Sequence, residues 1–232
     1  MIYKIRLKEK AERYGMKLCP EVLGRCERYA ELVDEWNRKI NITAITEPEE
    51  VEDKHFLDCF LLACQPEIKG KVADVGSGAG FPGIILKIYK PDIEITLIES
   101  NKKKTAFLSL VGKELDLSLQ VLGERAEDLG RSSARESFDV VTARAVAALP
   151  ALSEYCLPLV KTGGFFLPMK GPKETEGTEA KKAIEVLGGE IKEIRKYTLP
   201  DDSERTIWVV QKSASTPERY PRKMAQIKKK PL

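Results

Sequence analysis

A cluster of glycines follows an apolar run in residues 72–83, which read VADVGSGAGFPG. Gly76, Gly78 and Gly80 form the pattern Asp-x-Gly-x-Gly-x-Gly together with Asp74, which stands two residues before the first glycine. Glycine lets the backbone turn tightly and lets a ligand lie against the bare main chain. The pattern therefore predicts a ligand-binding loop between a strand and a helix.

A carboxylate follows the glycine loop at the sequence distance expected for a residue that binds a ribose. Glu99 ends the next apolar run, about 20 residues beyond the loop. A carboxylate at such a strand end can accept hydrogen bonds from both hydroxyls of a ribose. The loop and the acid together predict a cofactor that contains adenosine.

Two cofactors fit the loop. Gly78, Gly80 and Gly83 match the dinucleotide pattern Gly-x-Gly-x-x-Gly, whereas the pattern headed by Asp74 is typical of S-adenosylmethionine sites. The amino-acid end of S-adenosylmethionine is cationic and is favoured by a carboxylate, whereas a pyrophosphate requires N–H dipoles and helix termini. The residues favour S-adenosylmethionine and leave an NAD-dependent oxidoreductase as the alternative.

The later strand ends indicate what kind of atom is methylated. Glu127, in ERAEDL after the third apolar run, stands where adenine is expected to bind. The fourth run continues as FDVVTARAVAAL and lacks the Asn/Asp-Pro-Pro-aromatic segment used for amines, and no cysteine stands there to attack cytosine C5. We therefore predict an acceptor with a free lone pair, such as guanine N7. Positioning alone can supply roughly 7–11 kcal/mol for such a reaction.

Basic residues stand at the same strand ends. Lys102–Lys104 open the helix after Glu99, and Arg125, Arg144 and Lys170 follow the third, fourth and fifth runs. Binding sites of open α/β sheets lie at the carboxyl ends of the strands. We predict a rim that binds an anionic polymer, with the last three residues as candidates for positioning the substrate and with no catalytic residue identified.

The order of apolar and amphipathic segments predicts the fold. Strands are predicted at 71–75, 93–98, 117–122, 138–142 and 164–169, and helices between them at 82–89, 102–115 and 147–160. This alternation indicates a parallel sheet with helices on both faces. After a helix at 174–187, strands 190–197 and 205–212 are too close for a crossover and are predicted to pair as an antiparallel hairpin. The fold class is α/β, a Rossmann-like methyltransferase sheet, mostly parallel with an antiparallel C-terminal hairpin strand, preceded by a small N-terminal helical region.

Three regions are expected along the chain: a helical region 1–65, a methyltransferase domain 66–213 and a basic tail 214–232. In the first region, Thr46 and Glu49 have the spacing of a capping box, which predicts a helix start. The only histidine, His55, stands among apolar residues and is expected to have a core or interface role. The tail has six Lys or Arg against one Glu, which favours contact with nucleic acid.

The composition limits the classes of function. The 232 residues are 42% hydrophobic and 32% charged, which is enough to bury a core. Five cysteines stand singly, without the CxxC spacing of a zinc or redox site, so no metal is expected. The chain has no signal-peptide pattern at its start and no run long enough to span a membrane. We expect a soluble, cytoplasmic protein that acts as a monomer.

With these residues in view, the chain resembles the bacterial 16S rRNA guanine-N7 methyltransferase family RsmG (GidB) over nearly its whole length. The resemblance is carried, in order, by NITAIT, HFLD, VADVGSGAGFPGI, RAEDL, VTARAVAAL, LPMKG and YPRK. It implies methyl transfer from S-adenosylmethionine to N7 of one loop guanine of 16S rRNA within the small subunit. A non-catalytic RNA-binding protein with the same fold is a further alternative.

The residues and the resemblance together give the predicted contacts, of which Phe81, Ala126 and the cofactor role of Arg144 come from the resemblance alone. The cofactor contacts are Asp74, Gly76, Ser77, Gly78, Gly80, Phe81, Glu99, Ala126, Glu127 and Arg144. The RNA contacts are Lys102, Lys103, Lys104, Lys170, Arg222 and Lys223.

Overall fold

The computed structural model describes residues 4–171 and 177–232. Within them, seven strands form one sheet: β1 (Lys71–Val75), β2 (Glu94–Ile98), β3 (Leu119–Leu122), β4 (Phe138–Arg144), β5 (Val160–Lys170), β6 (Gly189–Thr198) and β7 (Glu204–Lys212). Their order is β3-β2-β1-β4-β5-β7-β6. The strands β1 to β5 pair in parallel, and β7 pairs antiparallel with both β5 and β6. The predicted fold class is confirmed, and the hairpin is inserted so that its second strand, β7, joins the sheet.

Helices cover both faces of this sheet. They are α1 (Lys4–Arg13), α2 (Pro20–Asn37), α3 (Pro48–Glu50), α4 (Asp58–Ala63), α5 (Gly83–Tyr89), α6 (Lys102–Glu114), α7 (Ala126–Leu129), α8 (Leu149–Cys156), α9 (Gly177–Val186) and α10 (Met224–Lys229). The helix predicted at 147–160 is shorter, because a 3₁₀ turn at Leu157–Leu159 follows α8. The first residues of the helix predicted at 174–187, up to 176, lie outside the described residues.

The helix start predicted at Thr46 is wrong. Glu47 is the residue that precedes α3, with an extended backbone and without a capping side-chain bond, and Pro48 takes the first helical position. Proline suits that position because its missing N–H would have no partner there and its φ angle is already helical. The helix continues as a π-helical turn, Val51–Leu57, a rare conformation that is frequent at functional sites.

The N-terminal helices share one hydrophobic core with the sheet. Tyr29 and Phe56 pack in the same buried cluster as Leu97 of β2. The next residue along that strand, Ile98, points to the opposite face, as alternation along a strand requires. The core on that second face includes Ile227 of α10, so the C-terminal segment is folded onto the sheet layer rather than extended away from it.

Candidate active site

The glycine loop connects β1 to α5 at the carboxyl end of the sheet. Gly76, Gly78 and Gly80 have φ angles of +71°, +58° and +100°, in the region that favours glycine. Gly83 has a different reason to be glycine, because a Cβ there would collide with the side chain of Leu97. Gly83, the third glycine of the dinucleotide pattern, is therefore explained by the packing of α5 against β2, and its presence does not require a bound phosphate.

Glu99 fixes the loop from the end of β2. Its Oε2 accepts a hydrogen bond from the Gly78 amide at 3.0 Å, and its Oε1 accepts one from the Asn101 amide at 2.8 Å. A carboxylate oxygen has two acceptor sites, so each oxygen can still accept one ribose hydroxyl. The sequence predicted that Glu99 contacts a ribose, but it did not indicate that the same carboxylate holds the glycine loop.

Asp74 lies under the loop and is fully buried. Its Oδ2 accepts a hydrogen bond from the Gly83 amide at 3.0 Å, whereas its Oδ1 has no hydrogen-bond partner among the described residues. Burial raises the pKa of Asp74 to about 6, against the opposing effect of the Gly83 amide. A buried acceptor without a partner is costly, and a cationic ligand group would satisfy it. The ammonium end of S-adenosylmethionine fits this requirement.

A cavity of about 200 Å³ opens at the strand ends beside the loop. Predicted residues that line it are Gly76, Glu99, Arg125, Ala126 and Glu127. Lining residues that the sequence did not indicate include Tyr155 of α8 and Met224 and Lys228 of α10. Ligand sites usually measure about 300–1,000 Å³, so this cavity is smaller than a site that encloses a whole ligand of that kind.

Arg144 is directed away from the cavity, towards the π-helical turn. Its Nη1 donates to the Lys54 carbonyl oxygen at 2.6 Å and to Asp58 Oδ2 at 3.2 Å, and its Nη2 donates to His55 Nδ1 at 2.9 Å. The side chain is only 15% exposed. The prediction that Arg144 stands on the rim with Arg125 is therefore corrected: the buried carboxylate of Asp58 draws the guanidinium inward.

His55 and Phe81 complete this buried cluster. The ring of His55 stacks on that of Phe81, with centroids 4.2 Å apart and planes 10° from parallel. Because a guanidinium only donates, His55 Nδ1 accepts, and the proton is on Nε2, which donates to Thr43 Oγ1 at 2.9 Å. Burial, together with the charge of Arg144, lowers the pKa of His55 to about 3. His55 is neutral and has both ring nitrogens bonded.

The remaining predicted cofactor contacts shape the loop from within. Ser77 is buried and its Oγ donates to the Asp74 carbonyl oxygen at 2.8 Å. A Cβ on Gly80 would lie 2.7 Å from the hydroxyl oxygen of Tyr29, which belongs to α2. The N-terminal helices therefore support the underside of the loop.

The predicted RNA contacts are of three kinds. Exposed cations that face solvent are Lys102, Lys103 and Lys223, and Lys104 is half-buried. Lys170 donates from Nζ to the Ala147 carbonyl oxygen at 3.0 Å. Arg222 is turned inward, because its Nη2 lies 2.6 Å from Oε2 of the fully buried Glu154. The side chain of Arg222 therefore anchors the C-terminal segment to α8.

In residues 4–171 and 177–232, no cluster of three or more His, Cys, Asp or Glu side chains is arranged to hold a metal ion. Nor does that part of the chain contain a helix with the length and apolarity needed to cross a bilayer.

The strand order with antiparallel β7, the loop headed by Asp74 and the carboxylate of Glu99 at the end of β2 are those of an S-adenosylmethionine-dependent methyltransferase of Rossmann-like fold. A family model described as rRNA small subunit methyltransferase G (GidB) matches residues 23–207. The chain belongs to this family, as its resemblance indicated. The NAD-dependent and non-catalytic alternatives are not favoured.

Individual relatives agree with this assignment. The ribosomal RNA small subunit methyltransferase G of Desulfitobacterium hafniense is 48% identical over 226 residues, which are 95% of this chain and 94% of that protein. The protein of the same name from Oceanobacillus iheyensis is 45% identical over 232 residues, 97% of this chain and 96% of that protein. A solved structure of an S-adenosylmethionine-dependent O-methyltransferase from Thermotoga maritima matches in fold, with a TM-score of 0.52 at 15% identity, and the match covers 80% of this chain and 73% of that chain.

Proposed function

We propose that this protein methylates N7 of one loop guanine of 16S rRNA in the small ribosomal subunit, with S-adenosylmethionine as the donor. The observation that carries this proposal is the convergence of Glu99 with Gly76, Ala126 and Glu127 on one cavity, together with the unpartnered carboxylate oxygen of Asp74 under the glycine loop. Relatives named for methylation of small-subunit rRNA, at 45–48% identity, support the substrate class.

The residues of the chain act by holding the two reactants. Glu99 accepts the ribose hydroxyls, and Asp74 offers an acceptor to the cationic amino-acid end. Bound S-adenosylmethionine supplies an electrophilic methyl group. Guanine N7 has a free lone pair and requires no base, and the only histidine, His55, is neutral with both nitrogens occupied. Positioning can contribute roughly 7–11 kcal/mol, more than the roughly 3–5 kcal/mol that a general base typically adds.

The exposed cations suit a polyanionic substrate. Arg125 lines the mouth of the cavity, and Lys102 and Lys103 open α6 just beyond Glu99. In A-form RNA, N7 faces a deep major groove that side chains do not enter, so the target must be a loop base that is exposed or extruded. Neutralised phosphates release counterions, so RNA binding should weaken steeply as salt increases.

The three regions have complementary roles in this proposal. Residues 66–213 carry most of the cofactor site, and residues 1–65 support the glycine loop and Arg144. Residues 214–232 add Met224 and Lys228 to the cavity wall and present exposed basic side chains to RNA. We propose that the protein acts as a monomer on ribosomal particles in the cytoplasm.

The test uses tritium-labelled S-adenosylmethionine with small subunits, and separately with naked 16S rRNA, from cells that lack this protein. Borohydride and aniline then cleave the RNA at N7-methylguanosine. Label with one new cleavage site supports the donor, the atom and the substrate together. Label without cleavage would place the methyl group on another atom, and no label from a protein that binds the cofactor would refute the rRNA substrate.

A further inference from the structure

The C-terminal helix α10 forms part of the wall of the cofactor cavity. Met224 and Lys228 are four residues apart, so they lie on one face of the helix, and both line the cavity that Glu99 and Ala126 also line. The sequence indicated only that this segment is basic. Its basic character does not explain why an apolar side chain of the same helix is placed against the cofactor cavity.

The position of α10 is fixed by buried contacts. Ile227 is fully buried in the core on the α8 face of the sheet. Just before the helix, the Arg222 amide donates to Glu154 Oε1 at 2.8 Å, in addition to the side-chain ion pair. These contacts hold α10 between α8 and the cavity, so the face that carries Met224 is set by the fold.

The approach to α10 is fixed as well. Arg135 donates from Nη1 to the Tyr220 carbonyl oxygen at 2.8 Å, and Arg131 donates from Nε to the Pro221 carbonyl oxygen at 2.7 Å. Both arginines follow α7, which begins at the cavity. Two side chains thus satisfy backbone groups of an irregular segment and lead it to one place on the molecule. A segment used only as a basic surface would not need this anchoring.

The lining of the cavity indicates which part of the cofactor α10 meets. Glu99 is placed for the ribose, and Ala126 and Glu127 follow the neighbouring strand β3, where the base lies beyond the ribose. Asp74, the acceptor for the amino-acid end, does not line this cavity. The nucleobase is therefore the part of the ligand that reaches α10.

We propose that Met224 covers the adenine ring of the bound donor and that the aliphatic part of Lys228 closes the rim beside it. A thioether is polarisable and adaptable, and it makes favourable contacts with aromatic rings. The stem of a lysine can cover apolar surface while its ammonium stays in water. This inference rests on the proposed function in one respect, since the ligand is taken to be S-adenosylmethionine.

The test measures the dissociation constant of S-adenosylmethionine for the full chain by calorimetry. We expect Met224→Ala to weaken binding about three- to tenfold, as loss of part of an apolar contact does, and Met224→Leu to stay within about twofold of the wild type. Lys229→Ala is the matched control, because Lys229 is an exposed lysine of the same helix that does not line the cavity. Adenosine, used as a second probe, should weaken by the same factor as the full donor in Met224→Ala.

The outcomes separate this inference from the function on which it rests. A wild-type chain that binds no S-adenosylmethionine refutes the proposed function itself. If the wild type and a folded Met224→Ala variant bind S-adenosylmethionine with the same affinity, only the role of α10 is overturned. Met224→Gln, which keeps the side-chain length, provides a second variant if the alanine variant does not fold, and its unchanged affinity would overturn the proposal equally. Weaker RNA binding by Met224→Ala without cofactor, at unchanged donor affinity, would also overturn it.

Discussion

Nη2 of Arg144 lies 2.9 Å from Nδ1 of His55 and joins the end of β4 to the π-helical turn before α4. The contact determines the tautomer of the histidine, because an arginine can only donate to it. With Nδ1 bonded to Arg144 and Nε2 bonded to Thr43, His55 has no free ring nitrogen with which to accept a proton from substrate. His55 orients Arg144, and Arg144 in turn keeps His55 neutral.

The first prediction concerns the pH dependence of stability that His55 confers. Its pKa is about 3 in the folded protein, against an ordinary value of 6.5, so protons bind the unfolded state more tightly. Its contribution to the free energy of unfolding is complete above about pH 6.5 and decreases as the pH falls towards 3. Between about pH 7.5 and pH 5, the wild type should lose about 2 kcal/mol relative to His55→Gln.

Urea unfolding of the two proteins at several pH values measures this difference. Glutamine is the matched replacement, because its amide can accept from Arg144 and donate to Thr43 but does not titrate. Parallel stability curves over that pH range would contradict a neutral His55.

The second prediction concerns Asp74 and the cationic end of the donor. The raised pKa of about 6 means that ionisation of Asp74 destabilises the unliganded fold as the pH rises through that value. Only the ionised carboxylate attracts an ammonium group, so the affinity for S-adenosylmethionine should fall about tenfold per pH unit below about pH 6. Calorimetry from about pH 8 to pH 5 tests this, and Asp74→Asn should bind more weakly and with a flat pH profile. An equally steep profile in that variant would assign the titration to another group.

The third prediction separates Glu99 from Glu124, another glutamate that lines the cavity. Glu99→Gln loses carboxylate acceptors and presents a donor to the amides of Gly78 or Asn101, so donor affinity should fall about 10- to 100-fold. Glu124→Gln changes an exposed residue that lines the same cavity, and it should alter affinity less than about threefold. Equal losses in the two variants would indicate a general effect of negative charge.

The fourth prediction concerns the C-terminal ion pair. Arg222→Ala leaves the carboxylate of Glu154 buried without its cation, with only the backbone amide of residue 222 as a partner, which should destabilise the fold by about 3 kcal/mol. Lys223→Ala, at the exposed neighbouring position, should change stability by less than about 0.5 kcal/mol. Urea unfolding measures both. A stable Arg222→Ala protein with weakened RNA binding would return Arg222 to the RNA surface.

The sequence predicted those parts of the molecule that depend on nearby residues. Strand β1 begins and ends where its apolar run does, and the glycine loop lies where the spacing places it. The inward orientation of Arg144 depends on His55, which is 89 residues away, and that of Arg222 depends on Glu154, which is 68 residues away. No local pattern contains such contacts, and the same holds for the place of Met224 in the cavity wall.

The insertion of β7 between β5 and β6 has a consequence during translation. In the described sheet β6 pairs only with β7, so it can join the sheet only after a strand that is synthesised later. Until residue 212 has left the exit tunnel, β5 presents an open edge, and such edges are prone to pair with other chains. A premature stop codon shortly before that point should therefore yield an aggregating polypeptide rather than a smaller working enzyme.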